Sequence, residues 1–152
     1  MRHLWIAAHL LGFVLWLGGG LSAMAIGIAL RRAPRADLGS GVRLLAVLYR
    51  SLILPGSVLT VASGLVLTLI IFGAPGATAT MGHGLMAMQG TGLVAALITL
   101  IALVPNASRL TRLDPITQAA QFDALRSRQA RLGMISGGLG LLALLAGALG
   151  RP

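Results

Sequence analysis

Long uncharged apolar stretches alternate along this chain with shorter segments that carry arginine. The first stretch runs from Leu4 to Leu30 and exceeds the roughly 20 residues that a helix needs to cross about 30 Å of hydrocarbon. It is also longer than the apolar core of about 7–15 residues in a secretory signal peptide, and Arg31-Arg32 follows it instead of a small-residue cleavage site. The pattern therefore predicts a retained first membrane helix over residues 4–30.

The next uncharged stretch, from Ser51 to Ser108, is too long for a single crossing of the membrane. The turn residues Gly73-Ala-Pro75-Gly76 divide it. We therefore predict a second helix over residues 51–73 and a third over residues 83–105. A fourth helix, rich in glycine, is predicted over residues 132–150. The expected fold is an all-α integral membrane four-helix bundle that forms a single domain.

Prolines and one aspartate indicate where these helices begin and end. Pro55 falls in the first turn of helix two, where a missing N–H costs little, and Pro105 marks the expected end of helix three. Asp114 and Pro115 suit the N-cap and first position of a helix. That helix is expected to continue into helix four.

Arginine is concentrated on one side of the predicted spans. Residues 31–50 and residues 106–131 each carry five arginines, which together are ten of the twelve basic residues in the chain. The positive-inside rule places such segments in the cytoplasm. Both termini and the turn over residues 74–82 are then expected outside. Because the chain is rich in alanine, glycine and arginine and has no lysine, we expect a multi-pass protein of a bacterial inner membrane.

Composition supports a membrane protein and excludes several classes of function. The chain is 57% hydrophobic and 10% charged, with a mean hydropathy of +0.91, whereas soluble domains carry about 25% charged residues. The formal net charge of +9 comes from arginines between apolar segments, so the expected partner is the lipid bilayer and no nucleic acid is expected. Without cysteine, disulfides and thiolate chemistry are excluded.

Catalysis by a pair of carboxylates within the membrane is also excluded. Glutamate is absent, and all three aspartates lie in the arginine-bearing segments. No nucleophile and no phosphate-binding loop can be recognised. An enzyme is therefore the least favoured class of function.

One face of helix one carries the strongest candidate for a binding residue, His9. Residues at helical spacing on this face are His9, Gly12, Trp16, Gly20, Ala23 and Gly27, and those on the opposite face are Leu10, Val14, Leu17, Leu21 and Ile28. Small residues allow helices to approach closely, so the first face is expected to point into the bundle. An ionisable residue inside a membrane indicates function by default. The alternative is a neutral imidazole that is hydrogen-bonded to a Ser or Thr of helix two.

A second histidine, His83, begins helix three and is followed by Met86 and Met88. Imidazole and thioether ligands suit Cu(I), although methionine also fills gaps in apolar interfaces. Helices one and three run in the same direction, so His9 and His83 belong to the same half of the membrane. Two imidazoles there are also candidate ligands of haem b, with room for a flat ring beside Gly12.

Two other helices carry residues at regular spacing. Ser57, Thr60, Gly64 and Thr68 share one face of helix two, and we expect their hydroxyls to bond back to the preceding turn. Helix four contains small residues four positions apart, such as Gly133 with Gly137. Such pairs promote close helix contact, so a homo-oligomer or docking to a larger membrane complex through helix four is a further expectation.

The segment His9-Leu-Leu-Gly-Phe-Val-Leu-Trp16-Leu-Gly18-Gly19 resembles the start of a group of bacterial four-helix membrane proteins. This group includes copper-resistance D-type domains and the four-helix protoporphyrinogen oxidase. The Ser63-Gly64 pair and Pro105 before an arginine-rich segment are similar to the same layout.

In the oxidase branch, the resemblance implies haem association at His9 and at a lysine of helix three. This chain has no lysine, and His83 corresponds only loosely, so oxidase activity is not implied. The copper branch implies metal handling across the inner membrane. Haem or metal binding at His9 is thus the leading hypothesis, followed by a non-catalytic accessory subunit of a membrane complex.

Overall fold

The computed structural model describes residues 2–73 and 82–150, and these two ranges contain helices and no strands. Four helices are long and apolar enough to cross a membrane: α1 (Arg2–Ala29), α2 (Arg35–Phe72), α3 (His83–Leu110) and α4 (Ala119–Leu149). The predicted all-α architecture with four helices of membrane-spanning length is therefore confirmed. The predicted turn at Pro75-Gly76 lies outside the described ranges.

The helices extend further than the uncharged stretches predicted. Helix two was predicted to begin at residue 51, but α2 already begins at Arg35, and α4 begins at Ala119 and not at residue 132. Arginine is a good helix former, so a helix does not stop where the charges start. The continuation of α4 through the arginine-bearing segment agrees with the expectation from Asp114-Pro115, although the helix itself starts four residues later.

A small apolar cluster explains why these extensions are folded. Leu38 and Val42 of α2 are buried against Leu110 of α3 and Phe122 of α4, and Phe122 is fully buried. Burial of such side chains stabilises each extension. We call this part of the molecule, residues 30–50 and 104–131, the arginine end, and the opposite part, which contains His9 and His83, the histidine end.

Two prolines lie inside helices, and each follows a π-helical turn. The turn Tyr49–Ile53 precedes Pro55, and the turn Thr99–Leu103 precedes Pro105. A proline ring would collide with the carbonyl four residues earlier, and the wider turn removes that collision. The prediction that Pro105 ends helix three is therefore wrong, because α3 continues to Leu110.

The four helices are arranged as two closely packed pairs, α1 with α2 and α3 with α4. In the first pair the backbones touch: a Cβ added to Gly12 would lie 2.7 Å from Thr60 N, and one added to Gly56 would lie 2.6 Å from Trp16 N. In the second pair, Gly84 meets Gly150 in the same way. Contacts between the two pairs are sparser.

The buried face of α1 differs by one residue from the predicted face. Its buried residues are Gly12, Trp16, Gly19 and Ala23, whereas Gly20 is exposed and meets no neighbour among the described residues. The prediction that Gly20 faces the bundle is therefore wrong. Leu17, which was assigned to the outer face, is half-buried against Gly140. The remaining outer residues are exposed as predicted: Leu10, Val14, Leu21 and Ile28.

Candidate functional site

His9 lies half-buried in the contact between α1 and α2. Its Nδ1 is 2.9 Å from the carbonyl oxygen of Thr60 and 3.3 Å from Ser63 Oγ. A carbonyl oxygen only accepts hydrogen bonds, so the ring donates its Nδ1–H to Thr60. The sequence predicts a hydrogen bond from His9 to a Ser or Thr of helix two as the alternative to a ligand role. Such a bond is present, but its acceptor is the backbone carbonyl of Thr60.

The local sequence of α2 shapes the surface on which His9 rests. At Gly64 an added Cβ would lie 3.1 Å from His9 Cε1, so a side chain here would push against the ring. The hydroxyls of this face bond back to their own helix, as predicted: Thr60 Oγ1 donates to Gly56 O at 2.8 Å, and Thr68 Oγ1 to Gly64 O at 2.9 Å. Ser63 does the same with Leu59 O. Ser63 Oγ also lies 3.2 Å from the Thr60 carbonyl oxygen, which has two lone pairs and can therefore accept from His9 as well.

The hydrogen bond at Nδ1 determines what the other ring nitrogen of His9 can do. In the neutral imidazole, Nε2 then carries the free lone pair. Within the described part of the chain, no group is hydrogen-bonded to Nε2. Histidines that ligate metals characteristically donate their second ring N–H to a backbone carbonyl or a carboxylate, which fixes the tautomer and the ring orientation. His9 has this arrangement.

Gly12 and Trp16 serve the packing of the helices in this structure. The space beside Gly12 is filled by the α2 backbone at Gly56 and Thr60, so this position does not provide the room for a flat ring that was expected. Trp16 is 8% exposed and packs in the core with Ile53. A ligand of His9 would therefore approach from outside the α1–α2 contact.

His83, Met86 and Met88 lie on α3, which packs on α4, whereas His9 faces α2. His83 is exposed at the first turn, and Met86 is 56% exposed. Met88 is turned towards α4, where its side chain contacts Gly147. The structure does not bring these residues together with His9, and the described ranges contain no group of three or more His or Asp residues placed to hold a metal ion. Copper ligation by the two methionines stays a prediction.

A second polar region, which the sequence pattern does not indicate, lies at the arginine end. Asn106 Nδ2 donates to Gln129 Oε1 at 2.7 Å and to Leu125 O at 3.0 Å, while Gln129 Nε2 donates to Leu103 O at 3.3 Å. Asn106 Oδ1 is buried and has no hydrogen-bond partner among the described residues. Asn106 and Gln129 lie 23 positions apart in the chain. They meet because α4 extends into the arginine end.

The acidic residues of the arginine end hold its turns and helices in place. Arg35 of α2 forms an ion pair with Asp123 of α4 at 2.8 Å and also donates to Pro115 O at 3.1 Å. Asp114 Oδ1 accepts the Ile116 N–H at 2.8 Å, and this bond lowers the pKa of the Asp114 carboxyl below its usual value. These carboxylates have structural partners and form no acid–base pair.

Comparison with known proteins adds no relative. No protein-family model, no curated protein and no solved structure matches the chain.

Proposed function

We propose that the protein is a multi-pass protein of a bacterial inner membrane and that His9 ligates haem b or a metal ion near the outer surface. Four helices of membrane-spanning length support the location, and the arginine count supports an arrangement with both termini outside. The observation that carries the binding proposal is the hydrogen bond from His9 Nδ1 to the Thr60 carbonyl, because it fixes the orientation of the ring and leaves Nε2 as the nitrogen available to a ligand.

The residues present fit one axial ligand of haem iron. His9 supplies an imidazole whose Nδ1 is held by the Thr60 carbonyl, while His83 lies on a helix that packs elsewhere. We therefore revise the two-histidine hypothesis to ligation by His9 alone. Haem bound there would provide a redox-active iron, and the half-buried ring of His9 would set its position on the α1–α2 pair.

A visible absorption spectrum of the purified protein, before and after addition of haem, tests this proposal. We expect a Soret band that His9→Ala abolishes and that His83→Ala and His3→Ala leave in place. The two controls remove exposed imidazoles from the same end of the molecule. Loss of the band in His83→Ala would restore the two-histidine arrangement. A wild-type protein with no Soret band after reconstitution would refute haem binding.

A copper site is the second candidate, and one observation favours it. His83 and Met86 are three residues apart on α3, and both are exposed, so they share one helical face. Imidazole and thioether together suit Cu(I). Elemental analysis after Cu(I) loading should show bound copper that is lost in His83→Ala with Met86→Leu. Retention in that double variant would contradict this site.

The accessory-subunit alternative rests on small residues of α4 that have open space beside them in the described ranges. A Cβ added to Gly137 or Gly138 would meet no described neighbour, so this part of α4 is open to another helix. A protein that contains neither haem nor copper after reconstitution, but crosslinks in membranes to a second copy or to another subunit through these positions, would favour this reading.

Orientation is tested by labelling intact cells with an impermeant thiol reagent. Because the chain has no cysteine, single substitutions report one site each. Ser40→Cys and Ser127→Cys at the arginine end are expected to be protected, and Thr78→Cys, outside the described residues, is expected to react. The reverse pattern would overturn the proposed orientation.

A further inference from the structure

Three arginines border one groove at the arginine end, on the side where α1 ends beside α4. Arg31 follows the last turn of α1, and Arg126 and Arg131 belong to α4; the groove has a volume of ≈ 400 Å³. Within the described ranges, none of the three guanidinium groups donates a hydrogen bond or forms an ion pair. Three like charges around one groove repel one another, and an anion bound between them would offset that repulsion.

The single carboxylate in this groove does not neutralise them. Asp123 borders the groove, but its Oδ2 is 2.8 Å from the guanidinium of Arg35, which lies outside the groove. The small side chains of Ser127 and Ala130 leave the floor of the groove open. The groove therefore combines net positive charge with free space.

The position of the groove along α4 indicates the kind of anion. Its last residue, Met134, is 60% exposed, and from Leu132 to Gly150 the chain has no charged residue. On the α1 side, Ile28 is 53% exposed just before Arg31. The guanidiniums thus lie at the boundary between the arginine end and exposed apolar surface, which is the level of phospholipid headgroups in the proposed membrane placement.

We propose that this groove binds the phosphate of an anionic phospholipid, with Arg31, Arg126 and Arg131 around the headgroup and an acyl chain along Met134. Guanidinium groups form paired, charge-assisted hydrogen bonds with phosphate oxygens. Basic pockets between membrane helices on the cytoplasmic side bind such headgroups. The inference rests on the proposed membrane placement and is independent of any ligand of His9.

A second groove at the same end provides a contrast. It is bordered by Arg43 and Arg112 together with Asp114, and it lies among the residues of the turn between α3 and α4. Each groove has one carboxylate, but this one has two arginines instead of three and therefore less positive charge. Its arginines and the exposed Arg109 are therefore suitable control positions.

The test compares two triple variants of the full-length protein in detergent at about 0.15 M salt, titrated with micelles of phosphatidylglycerol or phosphatidylcholine. Arg31→Gln with Arg126→Gln and Arg131→Gln is expected to weaken phosphatidylglycerol binding by about tenfold or more. The matched change of Arg43, Arg109 and Arg112 to Gln should weaken it by less than about threefold. Phosphatidylcholine should bind weakly to all three proteins. Equal losses in both triple variants would overturn the proposal, since they indicate only diffuse attraction.

A second pair of variants tests the groove without removing arginine. Met134→Asp places a negative charge in the groove, whereas Ile135→Asp places it on a neighbouring face of α4 with similar exposure. Only the first should weaken phosphatidylglycerol binding, and equal effects would contradict the site. If inorganic phosphate binds and its binding depends on the same three arginines, the ligand would be a free anion and not a lipid. That result would refute the proposal. Release of the wild-type protein from membranes by alkaline carbonate would instead contradict the membrane placement itself.

Discussion

The α1–α2 pair and the α3–α4 pair are held together by different kinds of contact. Between α1 and α2 the backbones meet at Gly12 and Gly56, and the side-chain hydrogen bonds across this pair in the described ranges all involve His9. Between α3 and α4, by contrast, side chains bond across at two levels. These bonds are formed by Thr99 with Ser136, at 3.1 Å, and by Asn106 with Gln129, at 2.7 Å.

This difference determines which substitutions should disturb each pair. In the α1–α2 pair, most hydroxyls bond to their own helix and do not hold the two helices together. This pair therefore depends on glycines, whose lack of a side chain lets the backbones touch. The second pair depends on amide and hydroxyl groups that become unpaired when one partner is removed. Four predictions follow this contrast from the largest expected effect to the smallest.

Gly56→Leu should reduce stability the most. The leucine side chain would collide with the α1 backbone at Gly12 and Trp16, and a helix backbone cannot move aside as a flexible side chain can. We expect a loss of stability at the upper end of about 1–3 kcal/mol, measured by thermal unfolding in detergent. Gly18→Leu is the matched control, since a Cβ there meets no described neighbour. Similar losses in both variants would contradict the close contact of α1 and α2.

Gln129→Leu should destabilise the α3–α4 pair by about 1–3 kcal/mol, because it leaves the Asn106 amide and the Leu103 carbonyl without their partner. Adding Asn106→Leu should recover part of this loss, since removal of both polar groups avoids an unpaired amide. The exposed Gln121→Leu serves as the control in the same unfolding measurement. A double variant less stable than the single one would show that the two amides do not act as a pair.

His9→Ala should cost the haem-free protein only about 0.5–1.5 kcal/mol, the usual value of one hydrogen bond. The side chain is half-buried, and the Thr60 carbonyl that it leaves still accepts from Ser63 Oγ at 3.2 Å. His3→Ala, which changes an exposed ring, should have no measurable effect on unfolding. A loss of several kcal/mol in His9→Ala would mean that the ring is a structural support of the α1–α2 pair.

Asp123→Asn should have the smallest effect, although Arg35 and Asp123 join one helix pair to the other. Their side chains are 53% and 48% exposed, so we expect about 0.2–1 kcal/mol at low salt and less at high salt. Asp37→Asn, a change of the same kind at another exposed position, is the control. A large effect that is independent of salt would indicate that this ion pair is essential for docking the two pairs.

The number of membrane-length helices could be predicted from the sequence, while their ends and faces could not. Uncharged length identifies a span, but arginine and proline are both compatible with helix, so α2 begins before Ser51 and α3 passes Pro105. The inner face of α1 includes Gly19 and not Gly20. Helical spacing in the sequence locates the inner face of a helix only to within one residue, and the contact with α2 decides which residue is buried.

For the candidate site, the sequence identified His9 and led to two hypotheses for it, a ligand role and a hydrogen bond to helix two. It did not identify the Thr60 carbonyl as the acceptor, since every residue has a carbonyl and only the packing selects one. The pairing of Asn106 with Gln129 could not be foreseen for a related reason. It depends on where α3 and α4 continue beyond their uncharged stretches.

In the proposed membrane placement, the length of α2 means that the protein folds in two solvents. Its 38 residues rise about 57 Å at 1.5 Å per residue, whereas the hydrocarbon layer is about 30 Å thick. In the proposed placement, much of the remainder stands in water, where Leu38 and Phe122 are buried by the ordinary hydrophobic effect. The spans have no such driving force between their helices and depend on close packing and hydrogen bonds. Urea is therefore expected to loosen the water-side cluster while the spans remain assembled in lipid.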